Sequence, residues 1–220
     1  MGELWGVLTR NFPEFRAGFL VTVQLVAVAF LIAMGVGVFI AALRVQPLRW
    51  LQRVGVVYVE FFRNIPLVVL LIIASAGLRR AGLPLDNFIA ATAALGLYTA
   101  AYIAEAIRSG VFAVGQGQIE ASLSLGFSYG ETLRRIVLPQ AIRTVIPPIG
   151  NLIIAMIKNS AVIGAILALA NDLLKTARDI NNDTLQTIPV FFWAACGYLL
   201  LTIPTTFLVR YLETRLAIRR

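Results

Sequence analysis

The sequence predicts an all-α membrane protein of about five transmembrane helices, and three observations carry that expectation. Of its 220 residues, 59% are hydrophobic and 14% charged, with a mean hydropathy of +0.84; a soluble domain carries about a quarter charged residues. The apolar residues are gathered into stretches near the roughly 20 that a helix needs to cross a hydrocarbon core about 30 Å thick. The arginines lie between those stretches instead of on a solvated face, so the net charge of +8 points to membrane orientation and away from nucleic acid. One cysteine and no histidine exclude disulfide frameworks, Cys/His metal sites and imidazole-based catalysis.

Residues 1–16 contain Glu3, Arg10, Glu14 and Arg16 and no apolar run leading to a small-residue cleavage site, so no cleavable signal is expected. The first span, 17–43, is uncharged and carries Ala29, Ala33, Gly37 and Ala41 at helical spacing. The second, 54–78, contains Glu60 and Arg63, with Pro66 three residues later removing a backbone donor where a cavity would be useful. The third, 88–107, is uncharged as far as Ala104, with Glu105 just past that stretch, and carries the second small-residue row: Thr92, Gly96, Ala100 and Ala104. Such rows let helices approach closely in lipid, which predicts packing seams. The fourth, 144–170, holds Lys158; the fifth, 188–209, is again uncharged. Gln24 and Cys196 read as packing residues. Residues 171–187, rich in Asn and Asp, read as a solvated connector, and the whole chain, 1–220, as a single membrane domain without internal repeats.

Counting basic residues orients the spans. Eleven arginines, in the segment after span one, in 108–143 and at the C-terminus, fall on one side; six basic residues, offset by acidic ones, fall on the other. The N-terminus is therefore expected outside and the C-terminus in the cytoplasm. That leaves 108–143 as the one sizeable internal cytoplasmic segment.

That segment has the local grammar of two short helices broken by a glycine. Ile119, Leu123 and Leu125 supply an apolar side to the first, and Gly126 suits the left-handed position at its end. Ser128 and Glu131 form a capping box for the second, which carries Leu133, Ile136 and Val137 before Pro139 closes the run. A docking surface for a soluble partner and a helix pair lying on lipid, with Arg134 and Arg135 toward headgroups, both fit this spacing.

Glu120-Ala121-Ser122, Gly126, and Ile136, Leu138 and Pro139 resemble the EAA motif of bacterial ATP-binding-cassette (ABC) importer permeases, with Ser122 the one departure. The resemblance covers nearly the whole chain. Residues 58–67, YVEFFRNIPL, and 101–110, AYIAEAIRSG, are similar to the second- and third-span signatures of the polar amino acid permeases. Met156-Ile157-Lys158-Asn159-Ser160 is similar to their fourth-span motif, with Asn159 and Ser160 where that family often has Asp and Thr. The resemblance implies a type I ABC importer permease fold, with the 108–143 segment as the cytoplasmic coupling helix region and Glu120, Ala121, Ser122, Gly126 and Pro139 as its ATPase-coupling residues. It further implies a second permease subunit, same or sibling, two ATP-binding cassette subunits, an extracytoplasmic solute-binding protein, and a bacterial inner-membrane location. No cofactor is expected on this chain, with ATP and Mg on the partner ATPase. Similarity leans toward glutamate as the substrate, with glutamine, cystine and basic amino acids as alternatives.

Charged side chains inside a span cost about 2.5 to 3.5 kcal/mol, so each invites a functional reading. Glu60 with Arg63, and Glu105 with Arg108, are three apart and can neutralise each other on one helix face. Both readings stay open for them: structural ion pairs, or contacts along a substrate pathway. Lys158 has no acidic neighbour within a turn and either serves the pathway, with Asn159, Ser160, Glu60, Arg63 and Asn64, or snorkels to an interface. No P-loop precedes Lys158 or Lys175, so the chain is expected to be a transport subunit and not an enzyme. The competing reading is an autonomous channel or secondary transporter without an ATPase.

Overall fold

The computed structural model describes residues 2–83, 85–164 and 170–216, and all regular structure among them is helical. Helices α1 (Gly2–Arg10), α2 (Phe12–Val45), α3 (Arg49–Asn64), α4 (Leu67–Arg80) and α5 (Asn87–Phe112) come first. Then follow α6 (Gln116–Ser124), α7 (Tyr129–Val162), α8 (Leu173–Thr184) and α9 (Thr187–Leu216). Helices α2, α5, α7 and α9 are each long and apolar enough to cross a membrane, and α3 with α4 adds a fifth span if the bent pair is counted as one.

The seam between α2 and α5 organises the bundle. Ala29, Ala33 and Ala41 of α2 and Thr92, Ala100 and Ala104 of α5 are all buried. A Cβ on Gly37 would lie 2.8 Å from Ile103 Cγ2 and 3.0 Å from the Ala100 carbonyl, and one on Gly96 would lie 3.0 Å from that of Ala29. The two backbones therefore meet with no room for side chains, as expected from small-residue rows in lipid.

The second span is broken where a single helix over 54–78 was expected. Ile65 is extended, at φ −95° and ψ 131°, as the residue before a proline prefers, and α3 and α4 meet at 101°. Pro66 thus ends one helix and starts another, returning Leu67 and Leu71 to a core with Leu25, Leu95 and Met156.

Two further expectations are corrected. Residues 171–187 are not a solvated connector: Asp172 caps α8 by accepting from the Lys175 amide at 2.8 Å, and Leu173, Ala177 and Ile180 pack against Val7, Phe15, Val190 and Ala194. The polar residues occupy the opposite face, so one helix presents both compositions. Pro139 does not close its helix either. The ladder widens into a π turn over Leu133–Val137, and α7 continues through Pro139, Pro147 and Pro148. That wider turn gives a proline ring room against the preceding carbonyls. The helix assigned to residues 144–170 consequently starts at Tyr129, inside the expected loop; residues 165–169 of that assignment, and Arg219 and Arg220, lie outside the described residues.

Candidate functional site

Helix α6 and the first turn of α7 form an exposed pair with a defined corner. Gly126 sits at φ +86°, a left-handed conformation that costs other residues energy. Ser128 Oγ accepts from the Glu131 amide at 3.3 Å and Glu131 Oε2 accepts from the Ser128 amide at 3.0 Å, completing the capping box. The pair is pinned from inside: the hydroxyls of Ser122 and Thr132, both buried, lie 2.9 Å apart. Ser122 is therefore a strut between the helices, whereas Glu120, Ala121 and Pro139 are exposed. Of the apolar side expected from Ile119, Leu123 and Leu125, only Ile119 packs inward, against Val114, Val137 and Ala141. Leu125 is 78% exposed. Apolar exposure beside a rigid corner marks a surface that meets a protein partner or lipid.

In the C-terminal part of α5, one carboxylate gathers three cations. Arg44 Nη1 of α2 donates to Glu105 Oε2 at 2.5 Å, and Arg108 Nη2 donates to Oε1 at 2.6 Å. Arg63 Nη1 of α3 stands off at 3.7 Å. Gly55 of α3 makes this possible, because a Cβ there would lie 2.5 Å from Arg44 Cγ. The expected Glu60–Arg63 pair does not form. Glu60 is exposed and makes no ion pair among the described residues, and its carbonyl accepts from Asn64 Nδ2 at 2.7 Å. Arg63 instead turns toward α5, with its guanidinium 5.5 Å from the Tyr102 ring centre. Spacing along α3 offered Glu60; helix packing brought Arg63 to Glu105 of α5 instead. The Glu105–Arg108 pair is present, as one part of a larger cluster.

Tyr102 connects that cluster to a cavity of about 220 Å³ between α5 and α7, lined also by Tyr98, Thr99, Leu152, Met156 and Asn159. The hydroxyls of Tyr98 and Tyr102 lie 3.0 Å apart. The Lys158-Asn159-Ser160 triplet is split, since successive helical residues point about 100° apart. Asn159 faces this cavity; Ser160 is buried and donates to the Ile157 carbonyl at 2.7 Å; Lys158 is exposed and without an ion pair among the described residues. Sequence reasoning missed Arg44, Tyr98 and Tyr102. The tyrosines are four apart, Tyr102 inside the 101–110 signature and Tyr98 just before it, a signal that was present but indistinguishable from packing.

The family model described as binding-protein-dependent transport system inner membrane component matches residues 16–218. This chain belongs to that family. It is a multi-pass inner-membrane transport component, and its relatives include the probable glutamine ABC transporter permease protein GlnM of Bacillus subtilis, 43% identical over 210 residues that cover 96% of each chain. The glutamate transport system permease protein GluC of Corynebacterium glutamicum is 33% identical over 232 residues, covering all of both. Among solved structures, the crystal structure of an amino acid ABC transporter with histidines superposes at a TM-score of 0.89 and 32% identity, covering 94% of this chain and 96% of that one. The fold is that of the type I ABC importer permeases.

Proposed function

We propose that this chain is the membrane-spanning subunit of an ATP-driven amino acid importer. Its substrate on this reading is glutamate or glutamine, in line with what the relatives GluC and GlnM are named for. The observation that carries the coupling half of this reading is the exposed α6–α7 corner. Glu120, Ala121 and Leu125 face away from the bundle, while Ser122, Thr132 and Gly126 hold the pair rigid. A rigid knob can transmit motion from an ATPase that carries ATP and Mg; a flexible loop cannot. On this reading the corner lies on the cytoplasmic side, with the N-terminus outside. A second permease subunit completes the pathway and a solute-binding protein delivers the substrate.

The cavity beside Tyr98, Tyr102 and Asn159 would take the amino acid, with Arg63 as the cation for a carboxylate. Glu105 already has two close arginines, which leaves Arg63 the weakest-held of the three. Lys158, exposed on the isolated chain, would face the second permease subunit or the lipid interface.

The test is copurification of the tagged permease with the ATPases of its host, followed by uptake of labelled glutamate, glutamine and arginine in proteoliposomes. Wild type should retain an ATPase that Gly126→Asp and Glu120→Lys lose. ATP-independent flux with no copurifying ATPase would refute the reading.

A further inference from the structure

A second cavity, of about 400 Å³, lies between α1, α2, the start of α8 and α9, away from the site above. Its walls are Leu8, Phe15, Phe19, Leu173 and Trp193, and its inner end is formed by Cys196, Gly197 and Leu200. Among the described residues in its lining, Arg16 is the one charged side chain; it is exposed and makes no ion pair. Along α9 the cavity runs from Trp193 to Leu200, about 10 Å of helix at 1.5 Å per residue. Half of a hydrocarbon core is about 15 Å deep.

The groove is held open. Trp193 Nε1 donates to the Leu4 carbonyl at 2.7 Å, and Trp193 packs at a tilt against Trp5 with ring centres 5.2 Å apart, which fastens α1 across the end of the bundle. Gly197 keeps the floor clear of bulk, since a Cβ there would lie 2.6 Å from Leu173 Cδ2. Two tryptophans and an arginine at the end of a spanning helix are also the composition of a membrane–water interface. An apolar slot that starts at the interface, is shorter than one leaflet and carries a lone cation has the dimensions and charge of one lipid chain below one anionic headgroup.

We infer that this groove holds an acyl chain of an anionic phospholipid whose phosphate is bound by Arg16. The site is independent of the transported substrate and of the α6–α7 corner. Its role is to dock α1 against α2 and α9 through lipid contacts.

The full chain in proteoliposomes supplies the test through Trp193, with Trp5→Phe and Trp50→Phe leaving it the sole tryptophan. Brominated-chain phosphatidylglycerol, or brominated-chain phosphatidylcholine, is added at low mole fraction to unbrominated phosphatidylcholine, and Trp193 quenching is measured. Phosphatidylglycerol should quench at about fivefold lower mole fraction, as one interfacial cation–anion contact supports. Arg16→Gln should abolish the preference, while Arg16→Lys and Arg10→Gln should keep it. Equal quenching by both lipids, a preference that survives Arg16→Gln, or no quenching because a second protein chain covers the groove would each overturn the assignment.

Discussion

Glu105→Gln removes the one negative charge that three arginines share, and its cost can be worked from their exposures. The side chains of Arg44, Arg108 and Arg63 are 11%, 34% and 44% exposed, and that of Glu105 is 23% exposed. Stripping the partner from a fully buried charge costs about 3–5 kcal/mol, whereas an exposed pair is worth about 0–1 kcal/mol. Arg44 is close to the first case, and its Nε already lacks a partner; Arg63 belongs to the second. Glutamine keeps the shape and one acceptor, so the expected loss is about 2–3 kcal/mol once partial exposure is discounted. Arg44→Gln leaves Glu105 with two cations and should cost about 1–2 kcal/mol, and Arg63→Gln less than about 1 kcal/mol. Unfolding by dodecyl sulfate in mixed micelles, read by circular dichroism, measures all three. The ordering Glu105, then Arg44, then Arg63 is the content of the prediction. An Arg63→Gln loss as large as that of Glu105→Gln would show that the third arginine is a full member of the clamp and unavailable to a ligand.

Four further outcomes are expected. Gly55→Ala should reproduce the Arg44→Gln loss without touching a charge, by pushing the Arg44 stem aside; the two changes together should cost little more than either alone in a double-mutant cycle. Asp172 is fully buried with Oδ2 unpartnered, and burial pushes its carboxyl up from 3.8 to about 6 against the pull of three backbone amides. The folded chain then keeps a proton that the unfolded chain releases, so stability should rise as pH falls from about 6 to 3.8. Asp172→Asn should flatten that rise in a pH series of detergent unfolding. Ser128→Ala should cost about 1 kcal/mol through loss of the cap and raise amide exchange at Tyr129–Thr132, while Gly126→Val should reduce ATPase retention at unchanged expression, because it strains the corner and not the core.

Local rules made much of the fold legible. The capping box at Ser128 and Glu131 and the left-handed Gly126 were readable because each depends on residues within a few positions of one another. The small-residue rows announced that α2 and α5 carry seams, though only the packed bundle shows that the seams face each other. Helix α8 was hidden because asparagines and aspartates on one face outweighed Leu173, Ala177 and Ile180 on the other. The sequence reading ran a span through Pro66 and closed a helix at Pro139, whereas in the fold Pro66 breaks a span and the helix continues through Pro139 after a π turn. The difference lies in what the neighbouring helices require of the backbone.

Composition and spacing by themselves determined that this chain is a helical membrane protein, where its apolar segments fall and where its exposed corner lies. Those properties follow from hydrophobic length and from hydrogen bonds that close within one turn. The tertiary structure alone decided that Arg63 leaves Glu60 for Glu105, that Arg44 reaches the same carboxylate past Gly55, and that Asn159, not Lys158, faces the cavity beside Tyr98 and Tyr102. A charge three residues away on one helix and a charge on a neighbouring helix are equally reachable by a long side chain. Which one is met depends on how helices rotate about their axes when small residues bring their backbones together, and that rotation is set by the packing of the whole bundle.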